Sequence, residues 1–188
     1  MRIISGTFRG KKILEPKDIK TRPLKDLTKE SIFNILNHSN KFKIDLEDSN
    51  ILDLFSGVGS FGIECLSRGV KSVIFIENYS GVLPVLKKNL QNLKAIENYK
   101  IIEKDINNGK IFETLDKKFD IVFMDPPYKD KNLNLLLQNL ENIKILNKNG
   151  IVVIHRHKNE QDMIPKNFRV IEEKRYGLSK IIFLSLLN

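Results

Sequence analysis

A chain of 188 residues, 41% hydrophobic and 29% charged, has the size and balance of one globular domain with a core of its own, and leaves no room for a second large one. Its longest nearly apolar run, Ile181 to Leu187, is broken by Ser185 and falls far short of the roughly 20 residues that a membrane-spanning helix needs. The start, MRIISGTFRGKK, lacks the apolar stretch of a secretory signal, and the single Cys65 excludes an internal disulfide. A cytoplasmic protein with no membrane contact, no cysteine redox chemistry and a buried thiol is expected.

The net charge of +9 favours a polyanionic partner, because lysine and arginine on phosphates gain affinity by releasing counterions. Most of the excess lies early. Residues 1–29 hold nine basic side chains against three acidic ones, an excess of +6. A solvated lysine-rich surface would give the same count, so charge alone leaves nucleic-acid binding open.

In chain order, RIISGTFRGKKIL offers two short β runs around Gly6 and Gly10, and a helix is expected from about Asp26 to Asn37. Strand candidates follow at Ile51 to Phe55, Ser72 to Glu77, Lys100 to Lys104, Asp120 to Met124, Gly150 to His155, Arg169 to Arg175 and Lys180 to Leu186. Helical segments fall between them near Phe61 to Ser67, Ser80 to Leu93 and Leu133 to Leu140. In the second of these, Val82, Leu86, Leu90 and Leu93 share a face, and Pro84 fits only in a first turn. Alternating strands and helices predict a parallel sheet covered on both sides. Only Tyr176 to Ser179 separate the last two strands, too few residues for a parallel crossover, so that pair should be an antiparallel hairpin. The predicted fold is α/β: a Rossmann-like, seven-stranded methyltransferase sheet preceded by a small N-terminal β-hairpin and helix. Residues 1–45 are expected to form the basic recognition segment and residues 46–188 the catalytic domain.

Asp53-Leu-Phe-Ser-Gly57-Val-Gly59-Ser-Phe-Gly62 closes a strand, turns through glycines and opens a helix, a seat for the carboxylate end of S-adenosylmethionine. GxGxxG by itself is shared with NAD-binding proteins. Asp53 argues for the sulfonium donor, because a carboxylate there accepts from an ammonium and would repel a pyrophosphate. An aspartate that merely caps the turn would look the same. Glu77, at the end of the second strand, is placed to accept from ribose hydroxyls. Asp105, after the third, is placed for an adenine amino group, with the backbone of Ile106 on a ring nitrogen. The expected cofactor contacts are Asp53, Phe55, Ser56, Gly57, Gly59, Glu77, Asn78, Asp105 and Ile106.

The fourth strand ends in Asp125-Pro126-Pro127-Tyr128. The amino group of a nucleobase is a poor nucleophile because its lone pair is delocalised into the ring. The Asp125 carboxylate and the Pro126 carbonyl can each accept one N–H and so aim that lone pair at a methyl carbon. Pro126 and Pro127 fix the backbone, and Tyr128 supplies a stacking face for an unstacked base. These four are the candidate catalytic residues. His155 and His157 would share one side of a strand, but no third ligand accompanies them, so no metal is expected.

Together, RIISGTFRGKKI, TRPLKDLTKESIFNIL, LDLFSGVGSFGIECLSRGVKSVIFIE, FDIVFMDPPY and RYGLSKIIF resemble the bacterial 16S rRNA guanine-N2 methyltransferases of the RsmD type, over nearly the whole chain. The resemblance implies S-adenosylmethionine as cofactor and guanine 966 of 16S rRNA as target, in the small subunit or its assembly intermediate. It also implies RNA contacts from Arg2, Arg9, Lys11 and Lys12, with Thr21, Arg22 and Pro23 beside the active-site mouth and Arg22 among the RNA-binding residues. A monomer is expected. Leu27 stands where the family often has arginine, and His155 where a glutamate is common; the resemblance gives His155 no role. Gly81 and Pro84 are unusual in the second helix. Competing readings are a DNA adenine or cytosine amino-methyltransferase and a non-catalytic RNA-binding assembly factor.

Overall fold

The computed structural model describes residues 1–16, 24–94, 96–127 and 130–187. The expectations for Thr21, Arg22, Pro23 and Tyr128 lie outside the described residues. Seven strands form one sheet in the order β3-β2-β1-β4-β5-β7-β6. They are β1 (Asn50–Leu54), β2 (Ser72–Ile76), β3 (Tyr99–Ile102), β4 (Phe119–Met124), β5 (Leu146–His157), β6 (Phe168–Tyr176) and β7 (Ser179–Leu186). The first five are parallel, and β7 runs antiparallel between β5 and β6. The helices are α1 (Asp26–His38), α2 (Ser60–Ser67), α3 (Leu83–Gln91) and α4 (Leu133–Asn142). None of them is long and apolar enough to cross a membrane.

Side-chain alternation along the strands divides the core into two. Ile51, Val73, Phe75, Ile121, Phe123, Val153 and Phe183 face α1, α2 and α3. Leu52, Leu54, Ile74, Val122, Met124, Ile154 and Leu184 face α4 and the 3₁₀ turn Gly109–Thr114. Burial of both faces explains the near-continuous apolar runs. Phe61 of α2 stacks on Phe123 of β4 at 4.0 Å and on Phe33 of α1 at 5.3 Å between ring centroids, which ties α1 to the sheet through α2.

Three expectations are corrected. The N-terminal β runs reduce to a single antiparallel bridge between Arg2 and Lys12, supported by Ile3 N–H to the Lys11 carbonyl (2.9 Å) and Gly10 N–H to the Ile3 carbonyl (2.9 Å). Residues 5–10 are used up in turns, with Gly6 and Gly10 both at positive φ, so no length remains for strands. The second helix begins at Leu83, not Ser80, which puts Pro84 in its first turn, where a missing N–H is harmless. Strand β5 starts four residues early, at Leu146: a register shift on β4 between Phe119 and Ile121 accommodates the polar Asn-Lys-Asn stretch. Gly150 is required there, since a Cβ would lie 2.9 Å from the Phe119 carbonyl oxygen.

The N-terminal segment is clamped onto α2, all eight of whose residues are buried. Buried Glu64 accepts backbone N–H groups from Ile4 (2.7 Å) and Ser5 (2.9 Å), and Ser67 donates from Oγ to the Ser5 carbonyl (2.6 Å). Thr7 N–H reaches the Ser67 carbonyl at 2.7 Å. Lys29, wholly buried on α1, donates to the Arg2 carbonyl (2.6 Å) and lies 3.6 Å from Glu64. Burial holds the Lys29 ammonium below its ordinary range, against the opposing pull of Glu64. Gly6 completes the contact: a Cβ there would sit 1.8 Å from the Ser67 carbonyl oxygen, at a φ of +81°. Gly6→Ala must therefore lift the segment off α2. We expect a loss of about 2–4 kcal/mol in urea unfolding, with amide exchange at Ile4, Ser5 and Thr7 accelerated beyond that at β1.

Candidate active site

Parallel register aligns the carboxyl ends of the strands. Ile102, Ile76, Leu54, Met124 and Ile154 form one row across β3, β2, β1, β4 and β5. The residues just beyond that row are Glu77, Phe55, Asp125 and His155. Chain order reverses between β1 and β4, and in sheets of this kind the ligand crevice lies outside such a switch point. Asp53 from β1, Glu77 after β2 and Asp125 after β4 all belong by alternation to the face that carries α2 and α3.

The turn after β1 is built on positive φ at Phe55 (56°), Gly57 (56°) and Gly59 (84°). A phenylalanine in that region stores strain, which the surrounding bonds must overcome. Ser56 does much of this, donating from Oγ to the Asp53 carbonyl (2.7 Å) and to the Ile76 carbonyl (3.1 Å). Its hydroxyl is thereby engaged in closing the turn. Gly57 N–H donates to Glu77 Oε2 (2.7 Å), while Asn78 and Tyr79 N–H groups donate to Oε1 (2.9 and 2.8 Å). Glu77 is thus fixed across the crevice mouth, with Asn78 exposed beside it. The glycines at 59 and 62 serve packing: a Cβ would meet Leu86 at 2.5 Å from the first and Phe75 at 2.3 Å from the second.

Asp53 is 1% exposed, and its Oδ2 accepts the Gly62 N–H at 3.0 Å. Its carboxyl is raised to about 8, chiefly by burial, against the pull of the Gly62 bond and with smaller pushes from the charges of Asp125 and Glu77. Three carboxylates therefore share one crevice end.

Asp125 meets a partner that sequence reasoning missed. Its Oδ1 lies 2.8 Å from His155 Nδ1, and His155 Nε2 lies 2.9 Å from Ser179 Oγ. The pairing of His155 with Ile181 on β7 puts Ser179 two residues on, on the same face. The neighbouring Arg156 projects to the other face, where it is 1% exposed. It donates to the Pro127 carbonyl (3.2 Å) and the Asp130 carbonyl (3.0 Å), and its Nε to both Asp162 oxygens (3.1 Å each). Asn89 was missed as well. Its Nδ2 donates to the Val58 carbonyl (3.0 Å) of the glycine turn and to the Leu14 carbonyl (3.1 Å), tying the N-terminal segment to that turn. A buried asparagine on the apolar face of α3, next to Leu86 and Leu90, was the only signal.

Asp105 stands two strands away from β1 and is exposed; its Oδ1 accepts from the Asn107 N–H (2.9 Å), a local turn cap. Ile106 is buried in the core of the opposite face. Arg2, Arg9, Lys11 and Lys12 are all exposed on the N-terminal segment, with the Lys11 ammonium 4.6 Å from the centre of the Phe8 ring. Among the described residues, no group of three or more His, Cys, Asp or Glu could hold a metal ion.

The strand order, the glycine turn after β1 and the Asp-Pro-Pro turn after β4 define a Rossmann-like methyltransferase fold. Within it, the chain belongs to the family described as conserved hypothetical protein 95, the RsmD family, whose model matches residues 1–185. It is 33% identical to ribosomal RNA small subunit methyltransferase D of Haemophilus influenzae, covering 95% of this chain and 90% of that one. It is 31% identical to the protein of the same name from Escherichia coli K12, over 94% and 85%. Among solved structures, methyltransferase yhhF from Escherichia coli superposes with a TM-score of 0.80 at 28% identity, covering 98% of this chain and 96% of that one. The fold is also shared, at 13% identity and a TM-score of 0.65 over 84% of this chain and 49% of the other, with methyltransferase SMU.776, complexed with SAH.

Asp53 also sets a pH dependence. The folded protein keeps its proton up to about pH 8, whereas the unfolded chain releases it near 3.8. The folded state therefore binds more protons between those values, and the group costs increasing stability as pH rises through that window. Asp53→Asn should unfold at higher urea than the parent, by a margin that widens from pH 4 to pH 8 and is constant above. A margin independent of pH would contradict the burial argument.

Proposed function

We propose that the protein transfers a methyl group from S-adenosylmethionine to the exocyclic N2 amino group of guanine 966 in 16S rRNA. It would act as a cytoplasmic monomer on the small ribosomal subunit or an assembly intermediate. The observation that carries the reading is the placement of the Asp125-Pro126-Pro127 turn beside the glycine turn, across the switch point of the sheet, in a chain of the RsmD family.

The residues fit the cofactor. Asp53 is buried with its carboxyl raised to about 8 and has no salt-bridge cation among the described residues; an ammonium at its Oδ1 would stabilise the ionised form. Glu77, held by three N–H donors, keeps acceptor capacity for ribose hydroxyls. Gly57, Gly59, Phe55, Ser56 and Asn78 shape the wall between them. The acidic Asp53, Glu77 and Asp125 would also favour the positive sulfonium. A protein of the same fold holds SAH. Bound there, S-adenosylmethionine supplies an electrophilic methyl carbon.

On the chain's side, Asp125 and the Pro126 carbonyl take the two N–H groups of the guanine amine and localise its lone pair toward that carbon. Forming the N–C bond would break the methyl–sulfur bond, with the neutral thioether as leaving group, and would leave the nitrogen one proton to lose, which Asp125 is placed to accept. Tyr128 is assigned to stacking on the base. The backbone of Ile106 and the side chain of Asp105 are assigned to adenine; Asp105 retains its Oδ2 beyond the turn cap. Arg2, Arg9, Lys11, Lys12 and Arg22 are assigned to RNA phosphates. The choice of guanine follows from family membership, since an Asp-Pro-Pro turn serves other amino bases equally well.

Radiolabelled methyl transfer into unmodified small subunits, naked rRNA and DNA, followed by nucleoside analysis, tests the proposal; label in a base of DNA alone would refute it. Asp125→Ala should lower the methylation rate by about 10²-fold or more with RNA affinity retained. Replacing Arg9, Lys11 and Lys12 together by alanine should weaken RNA binding and reduce the slope of log K against log salt by about 2–3. An unchanged slope removes that segment from the RNA interface.

A further inference from the structure

Asp125 works as an acceptor only if its carboxylate is turned to the incoming amine. A carboxylate at a strand end rotates easily about its last torsion, which is broad and roughly two-fold. The two prolines after Asp125 fix the backbone and leave that rotation untouched. What limits it is His155. Its ring stands beside Asp125 as the next strand's counterpart, since Met124 pairs with Ile154, and its Nδ1 lies 2.8 Å from Oδ1.

The ring is itself held. His155 is 7% exposed, flanked by β4 on one side and β7 on the other, and its Nε2 is 2.9 Å from Ser179 Oγ. The methyl-transfer reading needs Asp125 as an acceptor, so in that reading Nδ1 carries the hydrogen toward it. Nε2 then offers a lone pair, and the Ser179 hydroxyl donates to it. Each group in the row Ser179–His155–Asp125 thus donates in one direction, and the row ends on Oδ1.

We infer that His155 is a positioning residue for Asp125, occupying Oδ1 so that Oδ2 is presented to the amino group to be methylated. This role rests on the methyl-transfer reading above. The ring touches neither substrate nor cofactor in this role. Losing it leaves Asp125 in place but rotationally loose, so the effect falls on turnover and not on binding.

The test compares His155→Ala, His155→Asn and His155→Gln in methyl transfer to small subunits. Asparagine puts an N–H donor where Nδ1–H stood; glutamine reaches instead toward the position of Nε2. We expect His155→Ala to lower kcat by about 10-fold or more with KM for RNA and cofactor affinity within about two-fold of the parent. His155→Asn should recover most of that loss and His155→Gln little. A parental kcat in His155→Ala, an effect confined to KM, or no advantage of Asn over Gln would each overturn the inference. Nitrogen-15 NMR of the unsubstituted protein decides the contact independently of activity and of whether the variants fold: Nδ1 should be protonated, and an Nδ1 without a proton refutes the role. If the unsubstituted protein methylates none of the substrates, the functional reading fails, while the NMR result still decides whether His155 orients Asp125.

Discussion

Gathering Asp53, Glu77 and Asp125 at one end of a sheet is unfavourable by itself, and much of the surrounding structure offsets that cost. Like charges in a partly buried crevice repel, and each loses hydration. Glu77 is compensated by three backbone N–H groups, two of them from the turn after its own strand. Asp125 has the His155 Nδ1 at 2.8 Å from its Oδ1. Asp53 has the Gly62 N–H, yet its carboxyl is still raised to about 8. The carboxylate least compensated by the protein is therefore the most deeply buried of the three.

The helix that carries the Gly62 N–H also bears the N-terminal segment. Glu64 and Ser67 of α2 take the backbone of residues 4–8, while Asn89 of α3 binds both Leu14 and the glycine turn. The exposed basic side chains at 2, 9, 11 and 12 are thus mounted on the same two helices that shape the crevice. Because Ile3 and Ile13 lie in the core shared by those helices, the segment is part of the folded unit and not a tethered arm. Those side chains therefore hold a fixed position relative to the glycine turn.

Most of the sheet was legible because strands buried on both faces write themselves as apolar runs, and because a connection as short as that between β6 and β7 permits only a hairpin. The positions of Asp53, Glu77 and Asp125 at or near strand ends were legible too, whereas their sharing of one face emerges from the strand register. Boundaries were less legible where polar residues lie within a strand, as at Asn147 to Asn149, or where a turn consumes residues that look extended, as at Ser5 to Gly10. His155, Arg156, Glu64 and Asn89 were missed for a common reason. Each has at least one partner 29 to 75 positions distant, and a partner so far along the chain leaves no local pattern.

The end of β5 shows what such partners achieve. Consecutive residues of a strand point to opposite faces. His155 therefore reaches the Asp125 side chain on one face, while Arg156 reaches the Pro127 and Asp130 carbonyls on the other. One governs the orientation of the acceptor and the other the path of the turn that carries it. Arg156 can do this while wholly buried because Asp162 neutralises its charge through two oxygens. A buried pair of this kind adds little net stability, and removing one member strands the other's charge. What the pair contributes at the edge of the Asp-Pro-Pro segment is geometry: two prolines restrict the backbone from within, and a guanidinium fork restricts it from outside.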